Sequence, residues 1–142
     1  MSAAEPSQFV DSNILVYAFD HAAGRNSTLA RRHVVDLWQR GTGCISIQVL
    51  QEFFVSVTAK ISKPLSPRQA SREIAYLSRW RVHRPWASDV LSAIDLQGRL
   101  RISFWDAMIL QSARSLGCEV LWTEDLSHGQ TYAGVTVRNP FV

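Results

Sequence analysis

Short apolar runs alternating with longer segments of helical periodicity predict an α/β fold built on a mainly parallel sheet. The runs at Phe9-Val10, Cys44-Ile45, Val120–Trp122 and Val135–Val137 are too short for helices. The intervening segments space their apolar residues at helical intervals and are bounded by Ser, Gly and Pro. No repeat, low-complexity tract or long linker interrupts this order, so one domain over residues 1–142 is expected.

Gln8-Phe9-Val10 reads as a first strand ending at Asp11, and Asn13 to Phe19 as a helix or turn. His21 to Asn26, containing Gly24, reads as a loop. Ser27 to Arg40 reads as a helix with Leu29, Val34, Leu37 and Trp38 on its apolar side and Gly41 as its stop. Cys44-Ile45 is a strand, after which Ser46 can cap a helix from Ile47 to Ala59. Leu50, Phe53, Phe54 and Val57 are expected to form its core stripe. Ser66-Pro67-Arg68-Gln69 has the spacing of a capping box with proline at the first helical position, opening a helix to about Trp80. Arg81-Val82-His83 reads as a strand. Ser88 is the expected cap of a helix to about Leu96, and Ser103 of another from Phe104 to Leu116, closed by Gly117. Val120–Trp122 and Val135–Val137 complete the strands.

The composition is 46% hydrophobic and 19% charged, which excludes a disordered chain. No apolar run approaches the roughly 18 residues of a membrane-spanning helix. The polar stretch Met1 to Gln8 lacks the pattern of a signal peptide. Cys44 and Cys118, each among apolar residues, read as buried reduced thiols, consistent with the cytoplasm. The formal net charge is +3. Apart from Lys60 and Lys63 the basic residues are arginines, which suits phosphate contacts without demanding them.

The acids point toward chemistry. Asp11 ends one predicted strand and Asp125 follows another, so both belong at the carboxyl edge of the sheet, where sites form in open α/β folds. Asp106 heads a stripe of Ile109, Leu110 and Ala113. That is either a paired or metal-bound carboxylate or an acid serving the first turn of its helix. Glu52, the only acid between Asp36 and Glu73, sits on the most apolar helix and is expected to be semi-buried. Such a set suits a hard cation, since Mg²⁺ takes oxygen ligands and bridges carboxylates to substrate phosphate.

Phe9-Val10-Asp11-Ser12-Asn13-Ile14-Leu15 resembles the opening motif of PIN-domain nucleases. Val49-Leu50-Gln51-Glu52-Phe53, Ser103-Phe104-Trp105-Asp106-Ala107 and Leu121-Trp122-Thr123-Glu124-Asp125 resemble their later motifs, in the family's order. The tail from Val135 to Phe141 is similar to bacterial members of the VapC toxin type. The resemblance implies a three-layer α/β/α sandwich and a Mg²⁺- or Mn²⁺-dependent endoribonuclease acting as the toxin of a toxin–antitoxin pair. It implies Asp11, Glu52, Asp106 and Asp125 as metal-holding and catalytic acids, with Asn13 and Thr123 in support. It also implies an RNA substrate, a cognate antitoxin and a homodimer. Ser12 stands where many members carry threonine. Glu124 is an additional acid, expected to be exposed.

His21, His33, His83 and His128 are scattered, without ligand spacing, and read as surface or capping residues. Arg68, Arg72 and Arg79 share a helical face that reads as solvated. Arg99 and Arg101, just before the Asp106 helix, are the better candidates for RNA contact. Trp38, Trp80, Trp86, Trp105 and Trp122 read mostly as core, with Trp86 or Tyr17 the candidates for stacking on a base. A catalytically weak or inactive RNA-binding protein on the same fold is the alternative function. A phosphoacceptor domain would carry an adjacent acidic pair at the first strand, where Asp11 is followed by Ser12, and a lysine after a late strand. A haloacid-dehalogenase-type phosphatase would place aspartate at position 13, which is Asn13.

Overall fold

The computed structural model describes residues 5–142, so the first residues of the polar N-terminal stretch lie outside the described part. Among these residues six strands form one sheet in the order β3-β2-β1-β4-β6-β5. They are β1 (Gln8–Val10), β2 (Gly43–Ser46), β3 (Arg81–His83), β4 (Val120–Trp122), β5 (Thr131–Tyr132) and β6 (Val135–Arg138). All pairings are parallel except β5 with β6. The helices among the described residues are α1 (Ser12–Phe19), α2 (Arg25–Arg40), α3 (Ile47–Ala59), α4 (Pro67–Leu77), α5 (Ala87–Leu100) and α6 (Phe104–Ser115). α1 packs on α2 and α3, and α3 on α4, while α5 packs on α6, which lies against β2, β4 and β6. The result is the expected three-layer sandwich. Among the described residues no helix is long and apolar enough to cross a membrane.

Local chemistry explains most element boundaries. Ser46 caps α3 by accepting from the Val49 N–H at 3.2 Å, and Ser66 and Gln69 form a reciprocal capping box at the start of α4. Gly41 ends α2 in the left-handed region at φ 68°.

Several boundaries depart from expectation. α2 begins at Arg25, and the predicted loop before it shortens to a 3₁₀ turn at His21–Ala23. α4 stops at Leu77 rather than near Trp80, because the chain turns at Ser78–Trp80 and lays the Trp80 ring over Gly43. Ser88 is not the cap of α5. The Asp89 carboxylate accepts from the Trp86 N–H at 2.8 Å and places Ser88 inside the first turn. α5 continues beyond Leu96 to Leu100, since Leu100 also packs on the core. β5 had no sequence signal; its two residues pair antiparallel on β6 through a tight reversal at Ala133-Gly134.

The core stripe of α3 is Val49, Phe53 and Val57. Phe54, one residue further round, is exposed, and with Leu50, Val55 and Ile74 it borders a shallow apolar groove beside α4. Three of the tryptophans read as core are exposed: Trp86 at 78%, Trp105 at 64% and Trp38 at 40%. Trp86 and Trp105 stand at helix starts that face outward, and Trp38 lies at the α2 surface near Tyr76 and Trp80.

Candidate active site

The register of the central strands builds the site. β1 and β4 run parallel with Val10 beside Trp122, so the next residues, Asp11 and Thr123, leave the sheet side by side. Asp11 is also the cap of α1. One of its carboxylate oxygens accepts from the Ser12 N–H at 2.7 Å and the other from the Thr123 hydroxyl at 2.8 Å. Thr123 Oγ1 in turn accepts from the Asp125 N–H at 3.1 Å. From the first turn of α1, Asn13 donates to Asp125 Oδ2 at 3.0 Å. Thus Asp11, Asn13, Thr123 and Asp125 form one hydrogen-bonded set at the carboxyl edge of the sheet.

Glu52 and Asp106 approach this set from flanking helices. Gln48 donates both to Glu52 Oε1 at 3.1 Å and to the Trp105 carbonyl at 3.4 Å, which ties Glu52 to the start of α6 beside Asp106. Asp106 closes its own turn by giving its N–H to Ser103 Oγ at 3.0 Å. Asp106 thus stands in the first turn of α6, as one sequence reading has it, and its carboxyl feels the charge of Asp125. Glu52 is exposed rather than semi-buried, standing at the mouth of the site.

Electrostatics show that the acids share one field. Burial pushes the Asp11 carboxyl from 3.8 up to about 7, with the charges of Asp125 and Glu52 adding to the rise against the pull of Thr123 and Ser12. Glu52 is raised by desolvation, then by Asp125 and Asp106, while Gln48 and Lys60 oppose. Asp106 is raised by desolvation and by Asp125, against its bond to Ser103. Like charges gathered at a concave edge are the pattern of a functional site awaiting a counter-charge.

Other candidates lie elsewhere. Arg99 pairs with Asp95 at 3.2 Å, and Arg101 ends α5 with a left-handed backbone at φ 56°. Neither bonds to the acids. Arg79 stacks over Tyr76 on the α4 side. His128 accepts from the Asn139 N–H, as a capping residue should, and His33 packs against Trp122. His83 is neither surface nor cap. It bonds Ser112 at 2.8 Å and stands 3.5 Å from Asp89, whose carboxylate also accepts from Gln111 and Ser115. This knot joins β3, α5 and α6. Cys44 and Cys118 are buried free thiols.

Glu124 is exposed, as expected, and accepts from the Tyr17 hydroxyl at 3.3 Å. It borders a cleft of about 560 Å³ with Asn13, Tyr17, Asp20, Glu52, Ser56 and Lys60. Ser56 and Lys60 were not singled out from the sequence, yet they follow Glu52 at intervals of four on α3, a spacing that marks one helical face.

The PIN domain family pattern matches residues 9–133. The chain belongs to the PIN domain family. Among curated proteins no sequence match was found. Solved structures share the fold of this PIN domain. A toxin–antitoxin complex from Klebsiella pneumoniae is 23% identical with a TM-score of 0.67, covering 94% of this chain and 98% of that one. VapBC2 from Rickettsia felis, bound to a promoter DNA fragment, is 20% identical with a TM-score of 0.65, covering 93% and 97%. Mycobacterium tuberculosis VapC20, described as a sarcin-ricin loop cleaving toxin, is 20% identical with a TM-score of 0.61, covering 81% and 87%. The matched residues include Asp11, Glu52, Asp106 and Asp125.

Proposed function

We propose that this chain is a divalent-metal-dependent endoribonuclease, the toxin of a toxin–antitoxin pair acting in the cytoplasm. The observation that supports the reading is the hydrogen-bonded set of Asp11, Asn13, Thr123 and Asp125 at the carboxyl edge of the sheet, with Glu52 and Asp106 within the reach of its charges from flanking helices. Asp11, Glu52, Asp106 and Asp125 are assigned as the metal-holding and catalytic acids, with Asn13 and Thr123 as positioning residues. Among the described residues no three His, Cys, Asp or Glu side chains converge closely enough to hold a metal together. The site fits Mg²⁺ or Mn²⁺ nevertheless, since Mg²⁺ keeps several waters and uses only one or two carboxylates plus substrate phosphate. The donors are all oxygen, and Asn13 Oδ1 is buried with no hydrogen-bond partner.

When bound, such an ion supplies a Lewis acid that activates water and offsets the charge on phosphate. The protein's own contribution is positional. Thr123 and Ser12 fix both oxygens of Asp11, Asn13 turns Asp125 toward it, and Gln48 holds Glu52 against the start of α6. The similarity to toxin–antitoxin complexes supports a cognate antitoxin as partner. Self-association into a homodimer belongs to the same reading, and exposed Trp86, just before α5, with Leu91 and Ile94 on it, supplies apolar surface for such contacts.

Cleavage of single-stranded RNA, measured in EDTA and after adding back Mg²⁺ or Mn²⁺, tests the function. Loss in EDTA and recovery on addition are expected. Full cleavage in EDTA overturns the carboxylate reading.

A further inference from the structure

Arg99 and Arg101 are the sequence's candidates for RNA contact; a further cation, Lys60, lines the cleft beside the acid site. It ends α3 two helical turns beyond Glu52, with Ser56 between them on the same face. At 1.5 Å of rise per residue, Glu52 and Lys60 stand about 12 Å apart along the helix axis. The cleft between them is walled on the opposite side by α1, through Asn13, Val16 and Tyr17. Lys60 lies within reach of the Glu52 charge, yet no carboxylate approaches it within ion-pair distance among the described residues. Its ammonium is free for a ligand.

The wall is built rather than incidental. The Tyr17 ring packs edge-on against Phe141 with centroids 4.8 Å apart, and its hydroxyl is held by Glu124. Val16, Val55 and Ile61 line the rest with apolar surface. A volume of about 560 Å³ lies within the range of pockets that take small organic ligands. One end is acidic and borders the site where a metal-bridged phosphate belongs. The other carries the Lys60 ammonium, with Asp20 also lining the cleft, and the middle is apolar and aromatic. That sequence of chemistries matches phosphate, base, phosphate.

We infer that the α1–α3 cleft is a subsite for one unpaired nucleotide next to the scissile phosphate, with Lys60 holding its outer phosphate and Tyr17 flanking its base. This rests on the ribonuclease reading for the identity of the scissile phosphate. An unpaired base suits it, because a base must leave its stack to fill a concave cleft. Lys60 is a positioning residue and touches no reacting atom.

The test uses the full chain, a labelled non-cleavable single-stranded RNA in Mg²⁺, and a salt series. Lys60→Gln keeps length and removes charge at an exposed helix end, so the fold is kept. It should weaken binding about fivefold, the upper range for an exposed charge contact. It should also reduce the slope of log affinity against log salt by about 0.7, the value of one phosphate contact on a single strand. With cleavable RNA the loss should fall on KM rather than kcat, and Lys60→Arg should restore it. An abasic nucleotide walked along the RNA should cost about tenfold at one position. An unchanged slope in Lys60→Gln, or an abasic walk that finds no sensitive position, overturns the subsite and leaves the cleft to a protein segment. Lys60-dependent binding without cleavage would retain the subsite while removing the nuclease.

Discussion

Replacing Asp11 with asparagine should stabilise the metal-free protein at pH 8 while destroying its activity. Asp11 is 4% exposed, and its carboxyl is displaced from 3.8 to about 7. Each pH unit of that displacement is worth about 1.4 kcal/mol, so holding the charge in the native state above pH 7 costs about 4 kcal/mol as an upper bound. The sign follows from proton counts. Between about pH 4 and pH 7 the unfolded chain has lost the proton that the native state retains. Raising pH therefore favours unfolding across that window and has no further effect above it. Asparagine carries no charge and can still accept from the Ser12 N–H while its amide meets the Thr123 hydroxyl. Urea unfolding at pH 5 and pH 8, with and without Mg²⁺, measures this. The wild type should lose stability between the two pH values and regain it with Mg²⁺, which binds only the native state. Asp11→Asn should show a flatter pH response and little gain from Mg²⁺. A variant less stable than wild type at pH 8, with the pH response intact, would refute the claim that Asp11 is held charged at a cost.

Glu52→Gln, Asp106→Asn and Asp125→Asn should each reduce RNA cleavage on the order of a hundredfold or more with circular dichroism unchanged, whereas Glu124→Gln should stay within about tenfold. Gly43→Ala should destabilise by about 1–3 kcal/mol in urea melts, because the new Cβ would meet Trp80 Cε3 at 2.6 Å. Asp89→Ala should cost about 2–4 kcal/mol, since it strips partners from the Trp86 N–H, Gln111 and Ser115. Bonding to those donors, led by the Trp86 N–H, holds the Asp89 carboxyl below its ordinary value, so its contribution should be present above about pH 4 and fade as acid protonates it, read from the pH dependence of the same melts.

Strands and helices with strong local signals were legible in the sequence. Ser46, Ser66 and Ser103 announced their helices because capping is a local interaction. Ser88 misled because Asp89 competes for the same duty one residue later and wins through Gln111 and Ser115, which are far away in sequence. The acids were legible as an ordered set, and Asp11 and Asp125 could be placed at one sheet edge from strand ends alone. Their hydrogen-bonded linkage through Thr123 and Asn13 depends on the β1–β4 register, which no local pattern encodes. The partners of the arginines were not legible for a related reason. Proximity in sequence to Asp106 placed Arg99 and Arg101 near the site, but Arg99 finds Asp95 on its own helix. Lys60 lay unnoticed because its relation to Glu52 is helical rather than sequential.

The pairing of β1 with β4 also sets when the site can exist. Asp11 and Glu52 leave the ribosome well before Thr123 and Asp125, with Asp106 shortly ahead of them, and β1 is bordered on one side by a strand that forms only from residues 120–122. Until that strand inserts, Asp11 lacks the hydroxyl that holds one of its oxygens, and Asn13 has no carboxylate to hold. Contacts of such long sequence separation form late, since the loop must close before they reward it. The nascent chain therefore carries three of its four acids without the geometry that unites them. The site is completed only by the segment that follows α6.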